Sequence, residues 1–211
     1  MKLVVAALFA EHLDLNGDQA NLKILARRAG WYGVELEVID VQKGQNLPAG
    51  VDLIFVGHGS KAAWRDIADD LGRLNEPIRK HLASGGAFMA VASGYEMSVS
   101  HGLVAGNNSK QARVSKFEVA DLDGQQVLGY VNTESTLPIV QQQAQALLTM
   151  LHGPFFAKNP DIADGLLRRL VEAKGQTFET TFVTEKAGQS ADFIKAMVAD
   201  AWQLESDLAR E

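Results

Sequence analysis

Residues 90–96, Ala90-Val91-Ala92-Ser93-Gly94-Tyr95-Glu96, close an apolar run with small residues and then turn polar. A buried strand passing through a tight turn into a helix has this composition. It is also the composition of a nucleophile elbow, in which a reactive side chain sits at the apex and the residues two before and two after it are small. Ala92 fits the apex, flanked by Ala90 and Gly94. Ser93 is the nearest hydroxyl, but placing it at the apex puts Val91 and Tyr95 at the flanks, where close approach is lost. The turn therefore offers a methyl group where covalent catalysis needs a thiol or hydroxyl. An ordinary strand-to-helix turn of an α/β domain has the same spacing.

Other residues of chemical interest lie at strand ends. Gly57-His58-Gly59-Ser60 follows an apolar strand, at the carboxyl end where open α/β sheets place ligands, and its backbone N–H groups suit an anion. His58 alone reads equally as a capping or surface residue. His152 ends a second apolar stretch. Asp18 lies in a loop of helix-capping residues and reads as a helix cap, with Asn21 ordering the same loop. Glu96 lies one turn into the elbow helix, where the helix dipole stabilises a carboxylate.

These groups need a scaffold, and the elements predicted for it are those of an α/β domain. Strands are expected at about 2–9, 34–41, 51–56 and 86–91, with helices after the first strand, over 63–83 and after the elbow. Pro77 is expected to kink or split the helix over 63–83. Residues 101–108 read as a surface loop. Two short strands near 112–119 and 126–131 join through an Asp123-Gly124 hairpin turn. Residues 139–151 read as helix turning into strand at Leu147. An amphipathic helix covers 161–174, and a last helix covers about 190–211 with Phe193, Met197, Trp202 and Leu208 as apolar anchors.

Composition narrows the function. The chain has 211 residues, enough for one domain with a full core, read here as 1–186 with a C-terminal helical extension over 187–211 packed on it. A net charge of −6 without any Lys/Arg cluster argues against a nucleic-acid partner. No apolar run reaches the ~20 residues of a membrane span, and the apolar start reads as a buried first strand rather than a signal peptide. Cysteine is absent, which removes disulfides, thiolate metal sites and thiol catalysis together. The expected protein is cytoplasmic, with no metal and no cofactor.

Several segments together resemble the CobB/CobQ-like class I glutamine amidotransferases, and among them the glutaminase subunit of the lipid II isoglutaminyl synthase of bacterial cell walls. Leu15-Asn16-Gly17-Asp18-Gln19-Ala20-Asn21 is similar to that family's Gly-Asp-x-x-Asn segment, and Arg27-Arg28-Ala29-Gly30-Trp31-Tyr32-Gly33-Val34 to its Arg-x-x-Trp-x-Gly-Ile continuation. Gly57-His58-Gly59-Ser60 stands where the family has three glycines, and Ala92-Ser93-Gly94-Tyr95-Glu96 where it has Cys-Gly-Gly-Tyr-Gln. Leu151-His152-Gly153-Pro154 with Lys158-Asn159-Pro160 matches its Leu-His-Gly-Pro…Lys-Asn-Pro segment almost letter for letter.

The resemblance implies a flavodoxin-like α/β domain, a mostly parallel sheet with helices on both faces. It makes His152 the base and puts Ala92 in the nucleophile's place. Oxyanion donors would be the N–H groups of Ser93 and of Gly57 or Gly59, with His58, Tyr95 and Glu96 around the substrate and Asp18, with Asn21 in its loop, facing the pocket or the partner. It also implies glutamine or a related small molecule as ligand, and a Mur-ligase-like ATP-dependent synthetase as partner. The chain departs from the pattern at Ala92, at His58, and at Lys61 and Trp64, where the family has an acidic residue and a glutamine. Several departures at once favour a natural non-catalytic relative over a glutaminase whose nucleophile was replaced. A Ser93/His152 hydrolase and a small-molecule binding module using the 57–59 loop are the other readings.

Overall fold

The computed structural model describes residues 1–210. Strand β1 (Lys2–Leu8) leads through a capped loop to helix α1 (Ala20–Trp31), then β2 (Glu35–Val41) and β3 (Leu53–Val56). Helices α2 (Lys61–Asp66) and α3 (Ala68–Ala83) precede β4 (Ala87–Val91) and the elbow helix α4 (Ser93–Ser100). The long hairpin β5 (Lys110–Leu122) and β6 (Gln125–Ser135) follows, then β7 (Val140–Gln143), β8 (Ala146–Thr149) and β9 (Leu151–His152). Helices α5 (Phe155–Lys158), α6 (Pro160–Ala173) and α7 (Glu185–Leu208) complete the order.

The main sheet runs β2-β1-β3-β4-β8-β7, parallel except for the β7–β8 pair, and a separate antiparallel sheet runs β5-β6-β9. Strand alternation divides the core between the two faces of the main sheet. Leu3, Val5, Ala7, Leu53, Phe55, Met89 and Val91 pack with α1 and α6, and with Val127, Val131 and Leu151 of the smaller sheet. Ala6, Leu8, Ile54, Val56, Phe88 and Ala90 pack with Ile67, Leu71, Leu74 and Ile78 around α3. This is the expected α/β domain with a mostly parallel sheet and helices on both faces.

Four expectations are corrected. Residues 139–146 form no helix. Gln and Ala favour helix locally, yet Ala146–Thr149 pairs with β4, and Val140–Gln143 folds back on it through Ala144, whose φ is +48°. The helix over 63–83 breaks at the fully buried Ile67, while Pro77 is accommodated inside α3. The hairpin strands extend well beyond the short runs expected. Their turn is the predicted one, with φ of +52° at Asp123 and +88° at Gly124. The last helix starts at Glu185, capped by the Thr184 hydroxyl, and its expected anchors mostly face solvent. Phe193, Met197 and Leu208 are 66%, 56% and 45% exposed, as is Leu204 at 67%. Trp202 does pack, donating from Nε1 to the Lys158 carbonyl at 2.6 Å. Among the described residues no helix is long and apolar enough to cross a membrane.

Candidate functional site

Ala92 holds the elbow geometry without a reactive group. Its φ of +48° and ψ of −115° lie where L-residues rarely go. The surrounding backbone enforces the turn: Ala92 N–H donates to the Thr149 carbonyl of β8 at 2.7 Å, and its own carbonyl accepts the first helical bond, from Glu96 N–H at 3.1 Å. Gly94 is required on the following turn. A Cβ there would lie 2.6 Å from the Gly57 carbonyl oxygen and 2.7 Å from that of Val56. Strand and helix thus approach as closely as the small-residue spacing predicts. The Ala92 methyl itself is buried.

The loop after β3 faces this turn. Ser93 N–H, the first helical donor after the apex, points at His58 Nδ1 at 3.2 Å. The His58 ring meets the His152 ring edge-on, with centroids 4.7 Å apart. Burial, aided by the neighbouring His152, lowers the His58 pKa to about 4, so this ring is neutral near pH 7. The Ser93 hydroxyl accepts from Gly59 N–H at 3.0 Å and from Trp64 Nε1 at 2.8 Å, and donates to the Gly59 carbonyl at 3.1 Å. No imidazole hydrogen-bonds this hydroxyl. That arrangement counts against a Ser93/His152 hydrolase, which needs the base on the hydroxyl.

Sequence reasoning brings His152 to the elbow but misses how it is held. Its Nε2–H donates to the Asn132 carbonyl at 3.1 Å, and its Nδ1 accepts from the Asn16 side-chain amide. Both ring nitrogens are engaged by the protein, and burial lowers the ring's pKa. Asn16 lies beside the Gly17-Asp18 match, but nothing in its local sequence announces a contact 136 residues away.

Asp18 is neither a helix cap nor exposed. It is fully buried, and one carboxylate oxygen accepts His58 N–H at 3.0 Å while the other has no hydrogen-bond partner. Burial pushes its pKa up to about 7. Asn21 is also buried. It donates to the Asp18 carbonyl at 3.0 Å and accepts from Phe156 N–H at 3.0 Å, which fixes the loop against α5. Asp18 and Asn21 thus brace the loop that carries His58 and the start of α5.

A cavity of about 480 Å³ opens beside the elbow, lined by His58, Gly59, Lys61, Trp64, Ser93, Glu96, Arg113 and Asn132 among others. Glu96 is half-buried, with its pKa raised by burial, and accepts from the Thr133 hydroxyl at 3.4 Å. Of the predicted site residues, His58, Gly59, Ser93 and Glu96 line this cavity, whereas Ala92, Gly57 and His152 are not among its lining. Tyr95, expected at the pocket, is instead fully buried in the core, its hydroxyl bonded to Gln141 of β7. Among the described residues no group of three or more His, Asp or Glu side chains is placed to hold a metal ion.

No family model matches the chain. It is 21% identical over 222 residues, covering 88% of this chain and 91% of the relative, to the lipid II isoglutaminyl synthase (glutamine-hydrolyzing) subunit GatD of Staphylococcus aureus. In fold it is similar to PurLQS from Thermotoga maritima, with a TM-score of 0.55 at 12% identity over 81% of this chain and 100% of that one. A glutamine amidotransferase from Thermotoga maritima gives a TM-score of 0.52 at 13% identity, covering 93% of this chain and 94% of that one. With the parallel sheet and the strained elbow already described, these likenesses give the chain the class I glutamine-amidotransferase-like fold, with a weak but nearly full-length similarity to GatD.

Proposed function

We propose that the chain is a non-catalytic, glutaminase-like subunit that binds a synthetase partner and releases no ammonia from glutamine. The observation that carries this reading is Ala92 at the elbow apex, in a chain of 211 residues without cysteine. Amide hydrolysis through a thioester needs a thiolate at that point. The engagement of both His152 nitrogens supports the same reading, since a general base must reach the proton it abstracts. Incubation with L-glutamine and an assay for glutamate tests it. The expected rate equals that of a His152→Ala control, and turnover clearly above that control overturns the proposal.

The partner we propose is a Mur-ligase-like ATP-dependent synthetase, with peptidoglycan precursors as its substrates. The relative's description as an isoglutaminyl synthase subunit supports it. So does a stripe of exposed apolar side chains on α7, since such surface is commonly buried by a partner. Phe193, Met197, Leu204 and Leu208 recur at helical spacing on one face of α7. Phe193→Ser/Leu204→Ser is expected to keep the parent's Tm and to lose binding to a co-expressed synthetase of this class.

One observation favours a second reading, a glutaminase subunit in which alanine replaces the nucleophile: the strained backbone of the apex persists without a reactive group to justify it. Ala92→Cys separates the two. Glutamate release by that variant in the presence of the synthetase supports the second reading, and its continued inactivity supports the first.

A further inference from the structure

We propose that His58 is the residue that closes this site: its imidazole occupies the place where the carbonyl or carboxylate oxygen of a bound ligand would lie. The inference rests on reading Ala92 as the elbow apex. The N–H of the residue after the apex is the donor that an elbow aims at a ligand oxygen. Here that donor is Ser93 N–H, and its acceptor is His58 Nδ1 at 3.2 Å. A second N–H facing the same region, that of Gly59, is bonded to the Ser93 hydroxyl at 3.0 Å. A ligand oxygen entering the elbow finds both donors already satisfied from within the chain.

His58 is held from several sides. The His58 backbone donates to buried Asp18 at 3.0 Å, and its carbonyl accepts from Leu15 N–H at 3.1 Å. Just before it, a Cβ on Gly57 would lie 2.1 Å from the Leu13 carbonyl oxygen, so this backbone has no slack in that direction. On the far side the ring meets His152. His58 and Ser93 both line the cavity beside the elbow. Accepting a hydrogen bond at Nδ1 requires the neutral ring with its proton on Nε2. The burial that depresses the His58 pKa favours the neutral form.

A glycine at position 58 removes the internal acceptor and leaves Ser93 N–H pointing into the cavity. A ligand oxygen can then take its place. The chain therefore differs from an open elbow by two side chains, Ala92 and His58, rather than one.

The test needs no turnover, so it stands apart from the assay for glutaminase activity. In the wild-type protein, long-range ¹⁵N spectra are expected to show the His58 Nε2–H tautomer with Nδ1 as acceptor. The Ser93 amide is expected to exchange slowly, and L-glutamine to leave its resonance unmoved. In His58→Gly the Ser93 amide is expected to exchange about tenfold faster and to shift as L-glutamine is added. The proposal is overturned by an Nδ1–H tautomer in the wild-type protein, by equal Ser93 exchange in both forms, or by equal glutamine affinity, including no binding to either. The wild-type spectra decide the matter alone should the variant fail to fold.

Discussion

Ala92 stores strain that glycine would not. A non-glycine residue in a sparsely populated backbone region costs about 1–3 kcal/mol, and neighbouring bonds to β8 and into α4 hold it there. Ala92→Gly relieves this strain, which offsets the lost methyl and the added chain entropy. Ala90→Gly, two residues earlier in β4, has no strain to relieve and is expected to cost about 2 kcal/mol. In urea unfolding the two variants should differ by about 1–3 kcal/mol in favour of the change at 92. Equal losses would show that the apex is relaxed.

Burial shifts Asp18 and His58 in opposite directions. The folded Asp18 carboxyl is raised from 3.8 to about 7, so the folded state holds its proton more tightly, and the stability this gives is lost as pH rises through that range. His58 is lowered from 6.5 to about 4, so its neutral burial is favourable above 6.5 and becomes a burden as pH falls toward 4. Asp18→Asn removes the first effect alone. Relative to the parent, the variant's Tm is expected to rise steadily between pH 4 and 7. A difference flat across that range would mean that Asp18 titrates as an ordinary carboxylate.

Among the elements, α1 and α6 are tied by a buried ion pair. Arg28 donates to both oxygens of Asp164 at 2.6 Å each, and the Tyr32 hydroxyl donates to the same carboxylate at 2.8 Å. Arg28 is buried, so removing its partner leaves a desolvated charge. Asp164→Ala is expected to cost about 3 kcal/mol in denaturant unfolding, whereas Arg28→Met/Asp164→Leu is expected to recover most of it. A double variant as damaged as the single one would mean that geometry rather than charge makes this contact matter. The Tyr32 ring extends the tie by stacking on Phe182 and packing on Phe178, in the segment that leads to α7.

For the molecule as a whole, reading residues 1–186 as the domain and 187–211 as an extension packed on it carries its own expectation. Helix α7 packs on the β5–β6 hairpin and on α5, where Trp202 and the Lys158–Glu205 ion pair hold it. A chain ending at residue 186 is expected to unfold cooperatively with a Tm lower by several degrees. Loss of a cooperative transition would make α7 part of the domain's core.

The features legible in the chain alone are local and periodic. Alternating apolar strands, the small residues around Ala92, the Asp123-Gly124 turn and the absence of cysteine are legible because each rule acts within a few residues. The match around Leu151-His152-Gly153-Pro154 singled out the histidine whose ring packs on His58, in the loop facing the elbow. Only the tertiary structure decided the rest, because it depends on which distant groups meet. Sheet pairing with β4 overrode the helix propensity of residues 139–146, and the helix breaks at buried Ile67 while Pro77 lies within α3. His58 became the partner of Ser93 across 35 residues, Asn16 that of His152 across 136, and Asp18 the buried support of the loop that carries His58. Hydrogen-bond satisfaction is settled in three dimensions, where a buried donor takes whichever acceptor the fold delivers.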